Sequence, residues 1–179
     1  MAYVFRVAAV NSAGAGVYSA PSVPVTPYTT PGTPTSVVAT SGQNGQVPIS
    51  WSAPASNGSA ITNYSYQYSS DGGVNWSTAA LTGSSATSFT VAGLTNGTPY
   101  VFRVAGVNAA GTGSYGQTSS SVTPRAVPGA PTSVVATSGQ NGQVPISWSA
   151  PASNGGNAHR WGLRLKITMQ IGITPHGIR

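Results

Sequence analysis

The sequence predicts an all-β protein made of two-sheet sandwiches in tandem, one complete and two partial. Short runs of residues alternate between apolar and polar side chains, which is the period of a half-buried strand. Clusters of Gly, Pro, Asn and Ser separate these runs, as turns separate strands. Roughly seven such runs occur in each repeat, and that number is typical of two sheets packed face to face.

The third observation is an internal repeat of 97 residues. Residues 3–16, YVFRVAAVNSAGAG, recur at 100–113 as YVFRVAGVNAAGTG. Residues 34–58 recur letter for letter at 131–155 with the same offset. A repeat of this kind indicates an array of similar folding units.

The repeat is out of phase with the ends of the chain, and this predicts the domain organisation. Residues 1–28 correspond to the last two strands of a first unit, and residues 31–125 contain a complete unit. Residues 128–155 correspond to the opening strands of a third unit. The linkers contain proline, so we expect neighbouring units to be held semi-rigidly.

Alternation along the strands predicts which side chains form the core of the complete unit. Side chains two residues apart share one face of a strand. The larger apolar set on each strand is therefore expected to point inward. Leu94 and Tyr100, which are discussed in the next paragraph, also belong to this set. The predicted structural core is Trp51, Tyr64, Tyr66, Leu94, Tyr100, Phe102 and Val104.

Residues 31–124 resemble a fibronectin type III domain. A proline-rich entry, PGTPTSVVAT, precedes VPISWSAP, which supplies a core tryptophan, Trp51, and a proline turn at Pro54. ITNYSYQYSSDGG is similar to the third strand of that family, and SFTVAGLTNGTPYVFRVAGVNAAGTG to the strands that end the domain. Leu94 and Tyr100 match the tyrosine corner, in which the phenol hydroxyl bonds to upstream backbone.

This resemblance implies tandem immunoglobulin-like sandwiches of the kind found in bacterial extracellular and cell-surface proteins. It also implies an extracellular or cell-surface location, although no signal peptide opens this chain. In animal members of the family the loop between the last two strands can carry an Arg-Gly-Asp sequence that binds integrins. The matching loop, residues 108–116, reads NAAGTGSYG and lacks it.

The last segment, residues 156–179, departs from the repeat and is basic. Four of the seven basic residues and both histidines of the chain lie in it. Between Trp161 and Ile173 apolar and polar residues alternate without a break. Two interpretations stay open: one amphipathic strand, or an out-of-frame gene end.

Composition argues against several classes of function. Charged residues make up 4% of the chain, against about 25% in ordinary soluble domains. Arg6, Arg103 and Arg125 are scattered singly and form no basic stripe, so nucleic-acid binding is not expected. No apolar run reaches about 18 residues, so no membrane span is expected.

Catalysis, cofactor binding and metal binding are not expected either. The one acidic residue, Asp71, cannot supply the carboxylate pair of a glycosidase. His159 and His176, without cysteine or nearby carboxylates, cannot close a zinc shell. Asp71 precedes glycine, which favours a tight hairpin turn. Trp76 could stack on a sugar, although covering the sheet edge is the commoner role of such a tryptophan.

The sequence therefore predicts a non-catalytic spacer or adhesion segment of a larger bacterial extracellular or cell-surface protein. The alternative is an accessory segment of a secreted polysaccharide-degrading enzyme whose catalytic domain lies elsewhere. A protein or a carbohydrate at the cell surface would be the partner. The incomplete end units further predict head-to-tail self-association, because each exposes strand edges that the other could cover.

Overall fold

The structure, a computed structural model, describes residues 1–139, 141–153 and 155–156. It contains only strands, turns and irregular segments within those residues, and the predicted all-β class is confirmed. The eleven strands are β1 (Val10–Asn11), β2 (Gly14–Ala15), β3 (Thr35–Ala39), β4 (Val47–Ser52), β5 (Asn63–Ser69), β6 (Ala80–Leu81), β7 (Ser88–Val91), β8 (Val101–Asn108), β9 (Gly111–Thr112), β10 (Thr132–Ala136) and β11 (Ile146–Ser149).

Strands β3 to β9 form two antiparallel sheets in the middle of the chain. One sheet has the order β3-β4-β7, and the other has the order β6-β5-β8-β9. Strand β5 pairs with β8 along its whole length, from Asn63 opposite Val107 to Ser69 opposite Val101. The two sheets enclose one core between them, which gives the predicted sandwich.

The core forms because each strand turns its larger apolar side chains to the same side. Along β4 the residues Val47, Ile49 and Trp51 are buried, while the residues between them are exposed. This is the alternation expected for a strand with one face on a core. The buried cluster joins both sheets and the turn before β8: Val37, Val47, Ile49, Trp51, Tyr64, Val91, Leu94, Tyr100, Phe102 and Val104.

Strand β8 is buried more completely than simple alternation predicts. Phe102 and Val104 point into the core, yet Val101 and Ala105 on the opposite face are buried as well. A strand is buried on both faces only where something also covers its outer side. The side chains on this outer side of the sheet are described with the functional site below.

Two further hairpins lie at the ends of the described chain. In the first, β1 pairs with β2, and Tyr3 forms a bridge with Val25. In the second, β10 pairs with β11. Their large apolar side chains are exposed.

Candidate functional site

Six of the seven predicted core residues are buried in the sandwich. Trp51 and Tyr64 meet edge to face, with ring centroids 4.9 Å apart. The indole nitrogen of Trp51 is buried and has no hydrogen-bond partner among the described residues. Trp51 therefore contributes to the fold by packing rather than by a polar contact. The other buried members are Leu94, Tyr100, Phe102 and Val104.

The seventh, Tyr66, is half-buried and packs on the core from its margin. Its ring lies 5.1 Å from that of Phe89, measured between centroids. Burial raises the pKa of the Tyr66 phenol above its ordinary value, and repulsion from Tyr68 raises this pKa further. The phenol therefore stays neutral at physiological pH.

Tyr100 anchors the turn that precedes its strand. Its hydroxyl accepts a hydrogen bond of 3.1 Å from the backbone N–H of Thr95. Leu94, next to Thr95, is buried in the core, so the turn is held by an apolar and a polar contact at once. This is the upstream bond that the tyrosine corner implies.

The outer face of the four-stranded sheet carries a stack of three side chains, named here the Arg103 stack. The guanidinium carbon of Arg103 lies 4.0 Å from the ring centroid of Trp76 and 4.7 Å from that of Tyr115. Its Nε and Nη2 donate to the Gln67 side-chain oxygen at 3.0 and 2.6 Å. The Tyr115 hydroxyl shares a bond of 2.9 Å with the Ser65 hydroxyl. The cation is thus fixed between two aromatic faces.

The Arg103 stack lies on the outer face of β8, the face that also carries the buried residues Val101 and Ala105. Tyr115 lies over Ser65, and Ser65 is the cross-strand partner of Ala105. One face of the Trp76 ring is occupied by Arg103, and Gly73 lies close to its edge. In this arrangement Trp76 covers the sheet, and the ring face toward Arg103 is closed to a sugar.

Asp71 organises a loop between β5 and β6 that is wider than the tight turn predicted from Asp-Gly. Its carboxylate accepts bonds from the Ser69 hydroxyl and from both the backbone and side-chain N–H groups of Asn75. These bonds, the Ser69 hydroxyl first, lower the pKa of Asp71 from 3.8 to about 2. The donors to the carboxylate run from Ser69 to Asn75, so the chain closes around the Asp71 side chain.

Asn108 binds the linker that enters the middle unit. Its side-chain Nδ2 donates to the carbonyl oxygens of Thr29, at 2.8 Å, and of Ser56, at 3.0 Å. Its side-chain oxygen accepts from the Ala110 amide, which fixes the turn after β8. Asn57 adds a bond from its own Nδ2 to the Thr30 carbonyl. The entry linker is therefore tied to two loops at one end of the sandwich.

Backbone bonds hold the exit linker at the opposite end. The Arg125 carbonyl accepts from the Asn44 amide at 2.9 Å, and the Pro124 carbonyl accepts from the Gly97 amide at 2.9 Å. Gly97 also faces Gly156 beyond the linker. A Cβ on Gly156 would lie 2.5 Å from the Gly97 nitrogen, so the two backbones meet where no side chain fits.

The described residues offer little for metal or acid–base chemistry. They contain no group of three or more His, Cys, Asp or Glu side chains that could hold a metal ion. His159 and His176 lie outside the described residues, as does the predicted amphipathic strand of residues 156–179 beyond Gly156. No helix that could cross a membrane occurs in the part of the chain that the structure describes.

Comparison with known proteins decides the family. The model of the fibronectin type III domain matches residues 32–122, which lie within the predicted complete unit. The chain belongs to the fibronectin type III family. Repeats of this family are in general non-catalytic.

The fibronectin type III chain is similar to M-protein of striated muscle from Gallus gallus. The two are 30% identical over 161 residues, which cover 87% of this chain and 11% of M-protein. The chain thus spans about a tenth of that relative and is similar to a segment of a muscle protein.

Solved structures of similar shape include titin domains A168–A170 and the FN1–FN3 domains of chicken CNTN1. The titin domains are 27% identical, with a TM-score of 0.49, over 53% of this chain and 32% of theirs. The chicken CNTN1 domains are 22% identical, with a TM-score of 0.49, over 83% of this chain and 53% of theirs.

Sequence reasoning missed the Arg103 stack and the Asn108 linker contacts. Both depend on residues far apart in the chain, such as Arg103 with Trp76 and Asn108 with Thr29. The position of Arg103 opposite Gln67 follows from pairing β5 with β8, which the family resemblance could have supplied. No feature of the local sequence predicts the hydrogen bonds that the Asn108 side chain makes.

Proposed function

We propose that this chain is a non-catalytic spacer and adhesion segment of a larger bacterial extracellular or cell-surface protein. Its repeats would set distance, and the loops at their ends would be presented to a protein or carbohydrate partner. The observation that carries the proposal is that both linkers of the middle repeat are hydrogen-bonded to its ends. A spacer needs such fixed junctions, because a free linker would let the repeats collapse on each other.

One feature of the sequence supports an array of repeats, and a second supports the secreted bacterial setting. Residues 131–155 repeat residues 34–58 without a change, and such identity favours recent duplication of a repeat. The chain also has few charges and no cysteine, a composition common in secreted bacterial repeats. The similarity to M-protein supports a structural role for the repeat.

The entry linker provides the test of the spacer function. The chain has no cysteine, so two spin labels can be attached to two introduced cysteines without labelling any other residue. Val17 before the linker and Val74 after it are both exposed. With the labels at these positions, pulsed dipolar spectroscopy of dilute protein should give one narrow distance distribution.

Asn108→Asp tests the cause of that narrow distribution, and Asn11→Asp is the matched control. Each side-chain oxygen accepts from the backbone amide two residues on, and aspartate keeps that bond. Of these two asparagines, Asn108 alone donates its Nδ2 to the entry linker among the described residues. We expect Asn108→Asp to broaden the distribution and Asn11→Asp to leave it narrow. A broad distribution in the unsubstituted chain would contradict the spacer proposal.

A further inference from the structure

The Arg103 stack holds a cation whose charge no acidic side chain of the described structure neutralises. Asp71 is the one acidic side chain of the chain, and its carboxylate bonds to Ser69 and Asn75. The hydrogen-bond acceptor of Arg103 is instead the neutral side-chain oxygen of Gln67. The guanidinium can therefore pair with an anion from outside the chain.

The outer edge of the Arg103 guanidinium is left open to such an anion. Gln67 accepts from Nε and from Nη2, which leaves Nη1 and the second N–H of Nη2 without a partner among the described residues. The Trp51 indole nitrogen is the one buried side-chain nitrogen or oxygen that lacks a partner in that part of the chain, so Nη1 is in contact with water. Two parallel N–H groups on one edge of a guanidinium fit the two oxygens of a carboxylate.

This edge is held in place before any ligand binds. Trp76 and Tyr115 lie against the guanidinium carbon of Arg103, at 4.0 and 4.7 Å from their ring centroids. Gln67 is fixed as well, because its Nε2 donates to the Ser77 carbonyl at 2.7 Å. A side chain that is already ordered loses little conformational entropy on binding, and affinity rises accordingly.

The surface around this edge is neutral and polar, which favours a saccharide over an acidic peptide. Strands β5 and β8 carry no charged side chain besides Arg103. The neighbouring groups are the amide of Gln67 and the hydroxyls of Ser77 and Tyr115. A few well-placed polar groups beside aromatic rings are what a small-molecule site needs to orient a ligand with its own hydroxyls.

The arginine belongs to the repeat and is present more than once. Arg6 is equivalent to Arg103, and Tyr18 is equivalent to Tyr115, both with the offset of 97 residues. A tandem array therefore bears this arginine–tyrosine pair at regular intervals. A polymer with a carboxylate on each of its units can bind several weak sites at once, and linked sites raise the overall affinity.

We propose that the Nη1–Nη2 edge of Arg103 binds the carboxylate of a uronic-acid polysaccharide. The proposal rests on the carbohydrate partner named under the proposed function and gives the chemical class of that partner. Its failure and the failure of the spacer function are distinguishable, because the distance between the two spin labels does not involve Arg103.

Nuclear magnetic resonance titration of the full chain with trigalacturonate tests a single site. The amide signals of Asn75 and Ser77, on either side of Trp76, should shift and reach saturation. Arg103→Gln removes the cation and should raise the Kd about tenfold or more. Arg125→Gln is the matched control: it removes the same charge from an exposed arginine outside the stack and should leave the Kd unchanged.

Arg103→Lys separates the guanidinium edge from the charge alone. Lysine keeps the positive charge but loses the planar pair of N–H groups, so this variant should also bind trigalacturonate more weakly. A Kd equal to that of the unsubstituted chain would contradict the proposed edge. Cooperative melting of every variant above the temperature of the titration verifies that it is folded.

Two further ligands test the chemistry of the partner. A neutral galactose trisaccharide lacks the carboxylates and should cause no saturable shift. Triglutamate has carboxylates on a peptide and should bind more weakly than trigalacturonate. The proposal is wrong if trigalacturonate gives no saturable shift, if either of these ligands binds as tightly, or if Arg125→Gln weakens binding as much as Arg103→Gln.

Discussion

The Tyr100 hydroxyl accepts a hydrogen bond from the Thr95 amide over 3.1 Å, five residues back along the chain. Tyr100 is buried, while Thr95 lies at the surface of the turn. We expect Tyr100→Phe to lower the free energy of unfolding by about 0.5–1.5 kcal/mol, the net value of one hydrogen bond, because water can reach the freed amide. Denaturant unfolding measures this loss. Tyr18→Phe, at an exposed tyrosine, is the control and should leave stability unchanged.

Trp51 and Trp148 provide a comparison of one residue in two environments. They stand in the same local sequence, but only Trp51 is buried. Trp51→Ala should destabilise the middle sandwich by about 3–5 kcal/mol through the cavity that it leaves. Trp148→Ala should change the same transition by less than about 0.5 kcal/mol. Equal losses in the two variants would show that the wrong tryptophan has been assigned to the core.

The Arg103 stack should behave as a coupled unit. Arg103→Met keeps the aliphatic stem and removes the cation, while Trp76→Leu removes the ring. In a double-mutant cycle on the free energy of unfolding we expect a coupling of about 0.5–2 kcal/mol. Raising the salt concentration should change this coupling little, since no carboxylate takes part. A coupling of zero would mean that the stack does not stabilise the sheet.

We expect the loop around Asp71 to respond to acid in a single step, the titration of the Asp71 carboxyl. Its pKa is lowered from 3.8 to about 2, so its bonds contribute fully above pH 3.8 and are lost as the pH falls through about 2. The amide chemical shift of Asn75 should report this midpoint, and Asp71→Asn should abolish the titration. The measurement is clean because Asp71 is the one acidic side chain of the chain. A midpoint near 3.8 would contradict the bonded loop.

Local pattern was enough to predict the strands and most of the core. The alternation of Val47, Ile49 and Trp51 along one strand requires only that one face be buried, and the structure has that face inside. The tyrosine corner followed from a family motif rather than from pattern. The domain boundaries at both ends remain predictions that follow from the 97-residue repeat.

Features that depend on the third dimension could not be predicted. Alternation along β8 gives no sign that Ala105 is buried on the outer face, where Tyr115 bonds to its cross-strand partner Ser65. The Asp-Gly pair predicted a tight turn, yet Asn75 supplies donors that widen the loop around Asp71. In both cases a side chain contact overrides the preference of the local sequence.

The central claim is that residues 31–125 form one independent repeat of a tandem array. Calorimetry of the fragment 30–126 tests it most directly, because this fragment contains every strand of both sheets of the sandwich. We predict a single cooperative transition with equal calorimetric and van't Hoff enthalpies, at the midpoint of the main transition of the full chain. A fragment that is unfolded, or that melts broadly without cooperativity, would contradict the account.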